Sequence, residues 1–352
     1  MPPGRGPGPG RATVPAVAAV LLAAVAASVF AGSQPVPPAD VVRHVAAGLR
    51  LASGLDLPFG WGAAGVPEAT AAVLDLRLPR TLLGLVCGLA LGLAGALCQA
   101  HTRNPLADPG LLGVTAGAAC GVVVSLSVLR WSSPSEYVWL ALAGAVLAGG
   151  IVLGLASRLR TLAPATGLVL AGAIVTGVLN SVTSAVVLLD KATMDGFRYW
   201  TVGSLSGRDT SVLADIAPWL LLGLGLAALN TPALDALALG DDVATALGRN
   251  VALDRATGLA AVVLVAGAAT AAVGSIAFLG LAAPHLALRL ARGKMVPAVV
   301  LSGLLGAALM LLADTAGRLV LPSSELSVGI VLSIVGAPLF IWIARGRKDA
   351  TP

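Results

Sequence analysis

Apolar runs of about 18 or more residues recur along nearly the whole chain. Each is long enough to cross a hydrocarbon layer of about 30 Å as a helix, the form in which a lone segment satisfies its own backbone hydrogen bonds in lipid. Only 11% of the 352 residues are charged, while 57% are hydrophobic. A soluble domain carries about 25% charged residues, so there is too little charge here to cover a soluble core of this size. The runs are continuous rather than alternating, which excludes a transmembrane β-barrel. The expected fold is an all-α polytopic membrane protein.

The pattern predicts about ten transmembrane helices, at 14–32, 81–99, 111–129, 137–157, 165–189, 212–229, 256–273, 275–290, 296–315 and 328–344. They form one transmembrane domain over 14–345, with a flexible basic segment before it (1–13) and a short tail after it (346–352). The first run, with its "SVFAGS" exit, has some features of a signal peptide. A retained span fits better, because everything downstream is membrane-embedded. Residues 33–80 read as a loop. The stretch from Ala256 to Leu288 is too long for one crossing and short for two. Arg255 and Arg289 flank it, so it reads as a hairpin at Val273-Gly274-Ser275 with at least one short arm. Arg103, Arg158, Arg160, Arg249, Arg292, Lys294, Arg345 and Lys348 crowd near span ends on the same side. By the positive-inside rule that side is cytoplasmic, and it holds both termini. Arg77, Arg80 and Arg318 lie beside spans on the opposite side and need another explanation.

Glycines at small-xxx-small spacing (Gly84, Gly88 and Gly92; Gly113, Gly117 and Gly121; Gly150 and Gly154) predict close helix–helix approach. Cys87, Cys98 and Cys120 sit in apolar runs without metal spacing and read as packing residues. His44, His101 and His285 do not converge on a metal site. No basic patch is interleaved with aromatics, which argues against nucleic acid as a partner.

Two polar segments interrupt the apolar pattern. In "QAHTRNPLADPGLLG", Asn104-Pro105 and Asp108-Pro109 each pair a good N-cap with proline at the first helical position. The segment reads as a capped turn that relaunches a helix at Pro109. "NTPALDALALGDDVATALGRNV" reads as two short helices. Thr231-Pro232 starts the first, Asp241 or Asp242 caps the second, and Gly248 ends it. Val243, Ala246 and Leu247 form an apolar strip at helical spacing, suited to a partner protein or to the inner leaflet. Asp314 and Arg318 stand four apart and should pair.

These segments also carry a resemblance. "RLPRTLLGLVCGLALGLAGALCQAHTRNPLADPGLLGVTAGA" resembles the signature of the FecCD family, permease subunits of binding-protein-dependent ABC importers for iron–siderophores, haem and cobalamin. "LAGAIVTGVLNSVTS", "YWTVGSLSG", "LALGDDVATALGRNV", "GSIAFLGLAAPHLALRL", "ADTAGRL" and "ELSVGIVLSIVGAPLFI" follow in family order. Ser327 stands where the family usually has proline. The resemblance implies a dimer with a second permease copy or a paralogue. Its path would be lined by the fifth and tenth helices, which places Asn180, Ser181, Thr183 and Ser184 along it. It implies a cytoplasmic gate at Asn104, Leu106, Ala165 and Thr166. It implies ATPase coupling through the 232–250 segment, at Leu237, Leu239, Gly240, Val243, Ala246, Leu247 and Gly248. Docking of an extracytoplasmic binding protein would fall to Arg77, Arg80 and Arg318, matching arginines that receive its glutamates. Iron–siderophore is the expected cargo, with haem or cobalamin as the alternative. The expected location is a bacterial cytoplasmic membrane, with lipid as the surrounding partner.

The chain contains no G-x-x-x-x-G-K-[ST] motif. It is therefore expected to be a non-catalytic subunit without a cofactor, with ATP and Mg²⁺ on a partner ATPase dimer. An ion-coupled secondary transporter would want carboxylates in mid-membrane. None of the 17 acidic residues falls at the centre of a span; Asp190, Asp215, Asp254 and Asp314 lie near span ends. An intramembrane enzyme would need a convergent catalytic set, and none is visible.

Overall fold

The computed structural model describes residues 13–32, 36–53, 68–159, 164–208, 210–321 and 324–345. The flanking segments 1–12 and 346–352, Arg160, and the side chain of Ala165 lie outside the described residues. Among the described residues thirteen α-helices follow one another: α1 (Thr13–Phe30), α2 (Pro38–Ser53), α3 (Glu68–Thr102), α4 (Val114–Val124), α5 (Pro134–Arg158), α6 (Pro164–Leu189), α7 (Lys191–Thr201), α8 (Thr210–Ala238), α9 (Asp241–Ala246), α10 (Val251–Val273), α11 (Leu279–Leu290), α12 (Met295–Val320) and α13 (Val328–Arg345). No strand occurs among the described residues. Among the described residues seven helices are long and apolar enough to cross a membrane, and three shorter apolar stretches accompany them: Val114–Leu129, Leu279–Leu290 and Val328–Pro338.

The centre of the bundle is α10. From Ala261 to Val273 every residue is buried, against α3, α5 and α8. The other tight pair is α3 with α12, and glycine makes it possible. A Cβ on Gly88 would come 2.7 Å from Cα of Ala307, and one on Gly92 would run into Ser302 and Gly306. Ser302 Oγ donates to the Gly92 carbonyl at 2.6 Å, a bond that needs this close approach. Gly117 and Gly121 play the same part between α4 and α5, against Gly144 and Leu140. Gly150 and Gly154 differ from the expectation: nothing lies within 4 Å of either Cβ position, so they close no contact within this chain.

Three boundaries correct the sequence reading. The segment 33–80 is not all loop: it contains α2 and the first turns of α3, which run through Pro79. Arg77 and Arg80 are therefore inside a helix rather than beyond its end, as is Arg318 in α12. Thr231-Pro232 does not start a helix, because α8 continues to Ala238. The Thr231 hydroxyl donates to the Ala227 carbonyl at 2.9 Å, in the turn that Pro232 leaves short of a donor. Pro109 relaunches only a single 3₁₀ turn, Pro109–Leu112. Gly113 then breaks the chain at φ +73°, and α4 starts after it. The hairpin between α10 and α11 is present, with Gly274 at φ +85° closing the first arm and α11 only 12 residues long.

Candidate functional site

Polar side chains gather at the two ends of the bundle. One end carries the 103–113 turn, α9 and the 291–294 turn. The other carries the arginines of α3 and α12, α7, and the loop before α13.

At the arginine end, Arg77, Arg80 and Arg318 come together as the sequence suggested, but in a different state. All three are buried, at 6%, 8% and 3% exposure. Asp314 is their hub. Arg80 Nε donates to both of its oxygens at 3.0 Å and Nη2 donates to Oδ1 at 2.8 Å. Arg318 Nε stands 3.2 Å from Oδ2. The expected Asp314–Arg318 pair exists, yet the stronger, forked pairing is with Arg80, from a helix 234 residues away in sequence. Arg80 Nη1 also donates to Glu325 Oε2 at 2.6 Å, and that carboxylate is one-third exposed. Arg318 donates further to the carbonyls of Ser28 and Ala31, and Arg77 to those of Val29 and Phe30. These arginines thus seal the end of α1 onto α3 and α12. They are not free guanidinium groups on an open rim.

Beside them lies a cavity of about 1010 Å³, between the start of α5, α7, the 202–208 loop and the start of α13. Arg80 and Glu325 form part of one wall, with Tyr137, Arg198, Tyr199, Trp200 and Arg208 among the others. Asp190 caps α7 by accepting from the Ala192 amide. The Thr193 hydroxyl and Arg130, together with that amide, hold its carboxyl below the usual carboxylate range.

At the opposite end, the 103–108 turn is fixed by its own polar groups. Asn104 Oδ1 accepts from the Leu106 amide at 3.0 Å, and Asp108 Oδ1 from the Gly110 amide at 2.8 Å. Burial pushes the Asp108 carboxyl up. Ala107 is buried, and Leu106 projects from the tip half-exposed. Thr166, at the start of α6, is also exposed.

The coupling candidates divide into two sets. Leu237 is buried with Ala233 and Ala244, so it anchors the segment internally instead of meeting a partner. Leu239, Val243, Ala246 and Leu247 are exposed, Leu247 at 63%. Gly240 and Gly248 take φ of +120° and +79°, which bends the chain around α9. Gly240, not an aspartate, is the residue before α9. Asp241 is engaged elsewhere: Arg103 and Arg255 both donate to it, the latter at 3.0 Å. Arg103 also donates to the Leu237 carbonyl at 3.0 Å. Nearby, His101 shares a 2.7 Å hydrogen bond with Asn230, whose amide donates to the Asp254 carbonyl, and Arg249 holds the Asp254 carboxylate at 2.6 Å. The sequence reading missed this network. The signal available was an aspartate in the first turn of a short helix beside unassigned arginines.

Along α6, Asn180, Ser181 and Ser184 are exposed and share a face at helical spacing. Thr183 does not join them; it is buried at 5%. Ser181 Oγ donates back to the Gly177 carbonyl at 2.9 Å.

Among the described residues, seven spanning-length apolar helices and three shorter apolar stretches, with polar networks gathered at the two ends, mark a multi-pass membrane protein. Residues 20–346 match the profile of the FecCD transport family. The ferric enterobactin transport system permease protein FepD of Escherichia coli (strain K12) is 40% identical over 95% of both chains. The Fe(3+)-citrate import system permease protein YfmD of Bacillus subtilis (strain 168) is 38% identical over 79% of this chain and 82% of its own. The iron(3+)-hydroxamate import system permease protein FhuG of the same organism is 36% identical over 82% and 87%. Among solved structures, an inward-facing transporter assigned to the metal-chelate type of ABC transporters superimposes with a TM-score of 0.74, at 24% identity, over 95% of this chain and 98% of its own. This chain belongs to the FecCD transport family.

Proposed function

We propose that this chain is the membrane-spanning permease subunit of an ABC importer that carries a ferric chelate of the siderophore type across a bacterial cytoplasmic membrane. The observation that carries the reading is the 40% identity, over 95% of both chains, to the permease of a ferric enterobactin transport system. Citrate and hydroxamate permeases at 38% and 36% identity support a chelated-iron cargo.

In this reading the end with α9 faces the cytoplasm, as do both termini. An ATPase dimer docks on the exposed face of Leu239, Val243, Ala246 and Leu247. ATP and Mg²⁺ reside there, and this chain holds no cofactor of its own. Asn104, Leu106, Ala165 and Thr166 form the inner gate. A second permease copy or a paralogue faces α6, so that Asn180, Ser181 and Ser184 line the shared path. The binding protein docks at the arginine end. Since Arg80 is already paired, docking requires a partner carboxylate to exchange with Glu325, the one-third-exposed member of that network. Paired, end-located carboxylates at Asp254 and Asp314 favour ATP over an ion gradient as the energy source. In cells expressing the permease with its ATPase and binding protein, ⁵⁵Fe-chelate uptake should collapse on ATP depletion and persist under an uncoupler. The reverse pattern would reject the reading.

A further inference from the structure

The turn between α3 and the 3₁₀ turn at Pro109 is closed on itself. Asn104 Oδ1 accepts from the Leu106 amide, and the Ala107 amide donates to the Asn104 carbonyl at 3.0 Å, so residues 104–107 form one compact unit. Its joint to α3 is Arg103, which follows the last helical residue and takes φ +49°. A left-handed residue at a helix end is ordinarily glycine or asparagine, because a Cβ crowds the following carbonyl there. The arginine therefore needs a reason in its side chain. That side chain leaves the turn and crosses to the segment that carries α9. Nε donates to the Leu237 carbonyl at 3.0 Å, and Nη2 donates to the Asp241 carboxylate. Stability is a weak reason, since the two side chains of the ion pair are 40% and 39% exposed and such pairs contribute little. Connection is a stronger one. Arg103 belongs to the turn by its backbone and to the α9 segment by its side chain. Arg255 holds the same carboxylate from α10, at the centre of the bundle, so Asp241 links a fixed helix to the turn. Between the turn and the α9 segment lies a cavity of about 280 Å³, lined by Gln99, Arg103, Pro105, Ala238 and Met295 among others. Close-packed elements move only together, whereas a turn backed by open space can shift alone. Leu106, at the tip of the turn and 49% exposed, would move with it.

We infer that Arg103 is a positioning residue for transport: its side chain ties the inner gate turn to the ATPase-coupling segment, so that a displacement of α9 turns the backbone at Arg103 and carries Leu106 with it. The inference rests on the importer reading above, which puts the gate at the 104–106 turn and the ATPase at α9. The test uses the assembled complex of permease, ATPase and binding protein in proteoliposomes. Chelate carried per ATP hydrolysed is measured with ⁵⁵Fe supplied in turn as its enterobactin, citrate and hydroxamate chelates. Arg103→Gly suits the left-handed backbone and removes only the tether, so the complex should assemble with its thermal stability kept, while chelate carried per ATP falls at least about fivefold. Arg103→Asn, also at ease at positive φ, should behave alike and stands in if the glycine variant misfolds. Arg103→Lys keeps the charge without the fork and should recover part of the loss. A second readout follows the turn itself. The maleimide-labelling rate of Leu106→Cys, corrected for the parent complex, should change at least about threefold between the nucleotide-free and vanadate-trapped states, and adding Arg103→Gly should remove that change. Chelate carried per ATP within twofold of wild type in both Arg103→Gly and Arg103→Asn would overturn the inference. So would a labelling rate that is the same in both states of the Leu106→Cys complex, or one whose change survives Arg103→Gly. Loss of ATPase co-purification in the Arg103 variants would overturn it as well, since Arg103 would then shape the docking face instead of transmitting its movement. Each of these results leaves the importer reading standing while the wild-type complex carries chelate. A wild-type complex that carries none of the three chelates under ATP would reject that reading itself.

Discussion

Replacing Asp314 by alanine should be among the most destabilising single changes in this chain. Its carboxylate is 1% exposed and satisfies Arg80 through a fork while standing 3.2 Å from Arg318. The substitution leaves two guanidinium groups, with side-chain exposures of 10% and 3%, next to each other. Arg80 keeps Glu325, but Arg318 keeps only neutral acceptors. Removing one partner from a buried pair costs about 3–5 kcal/mol. Replacing the pair by apolar residues costs far less, because no charge is stranded. Arg80→Met with Asp314→Leu still leaves Arg318 without its carboxylate, so the triple change that adds Arg318→Met should unfold at a denaturant concentration much nearer wild type than Asp314→Ala. The exposed Arg130–Asp190 pair, treated identically, should show coupling of only about 0.2–1 kcal/mol. The assay is a double-mutant cycle on detergent-purified permease, followed by unfolding in a mixed-micelle denaturant titration. If Arg80 and Asp314 couple by less than about 0.5 kcal/mol, the buried network is not what joins α3 to α12 at this end.

Four further outcomes follow from the same geometry. Glu325→Gln should strengthen docking of the binding protein about three- to tenfold in a pull-down, since it vacates one side of Arg80; weaker docking would mean Glu325 is itself a contact. Gly92→Val should abolish stable folding, measured as loss of monodisperse permease on size exclusion, because its side chain would meet the Ser302 backbone; Gly154→Val, with open space at its Cβ position, should not. Leu247→Asp places a charge on the exposed face of the coupling segment and should eliminate ATPase co-purification while the permease still inserts; intact co-purification would point to a lipid-surface role. Asp241→Asn should retain ATPase binding but lower transport per ATP hydrolysed, because the two arginines that hold α9 to the bundle lose their shared carboxylate; unchanged stoichiometry would make the clamp purely structural.

Most of the fold is legible in the sequence because lipid leaves few options. A run such as Ala260–Val273 has one polar side chain, Thr270, and no choice in lipid but a helix, and the predicted span ends there as the helix does. Boundaries failed where polar residues continue a helix beyond the apolar run. Arg77, Pro79 and Arg80 look like the end of a span, yet α3 runs through them, since Asp314 and Glu325 arrive from distant sequence to neutralise Arg80. No local pattern announces a partner 234 residues away. The same holds for Asp241: a cap candidate in the sequence, it is the first residue of α9 and is engaged by Arg103 and Arg255 from other elements. Thr183 shows the limit at finer scale. One helical step separates it from Ser184, and only the packing of α6 on α4 and α5 decides which of the two is buried.

The contrast between α10 and α6 ties these features to transport. Seventy-eight per cent of the spanning part of α10 is buried inside the chain, against 17% of that of α6. A helix enclosed on all sides by close-packed neighbours can shift only if they shift with it. α6 rests on α4 and α5 along one side, and its other face carries Ile174, Val178 and Val182 together with Asn180, Ser181 and Ser184. Apolar residues on that face are at ease in lipid, but an asparagine with two serines in the middle of the helix is not. The face is therefore better matched to a second protein surface or to a wet path than to acyl chains. α13 is alike: it leans on α11 and α12 and leaves Ile330, Ile334 and Val335 uncovered. α13 is also the helix that follows Glu325, so the loop gripped by Arg80 leads directly into it. An exchange of carboxylates at the arginine end would therefore act first on a helix with few internal contacts to resist it, while the enclosed α3–α10–α12 core holds both ends of the bundle in register.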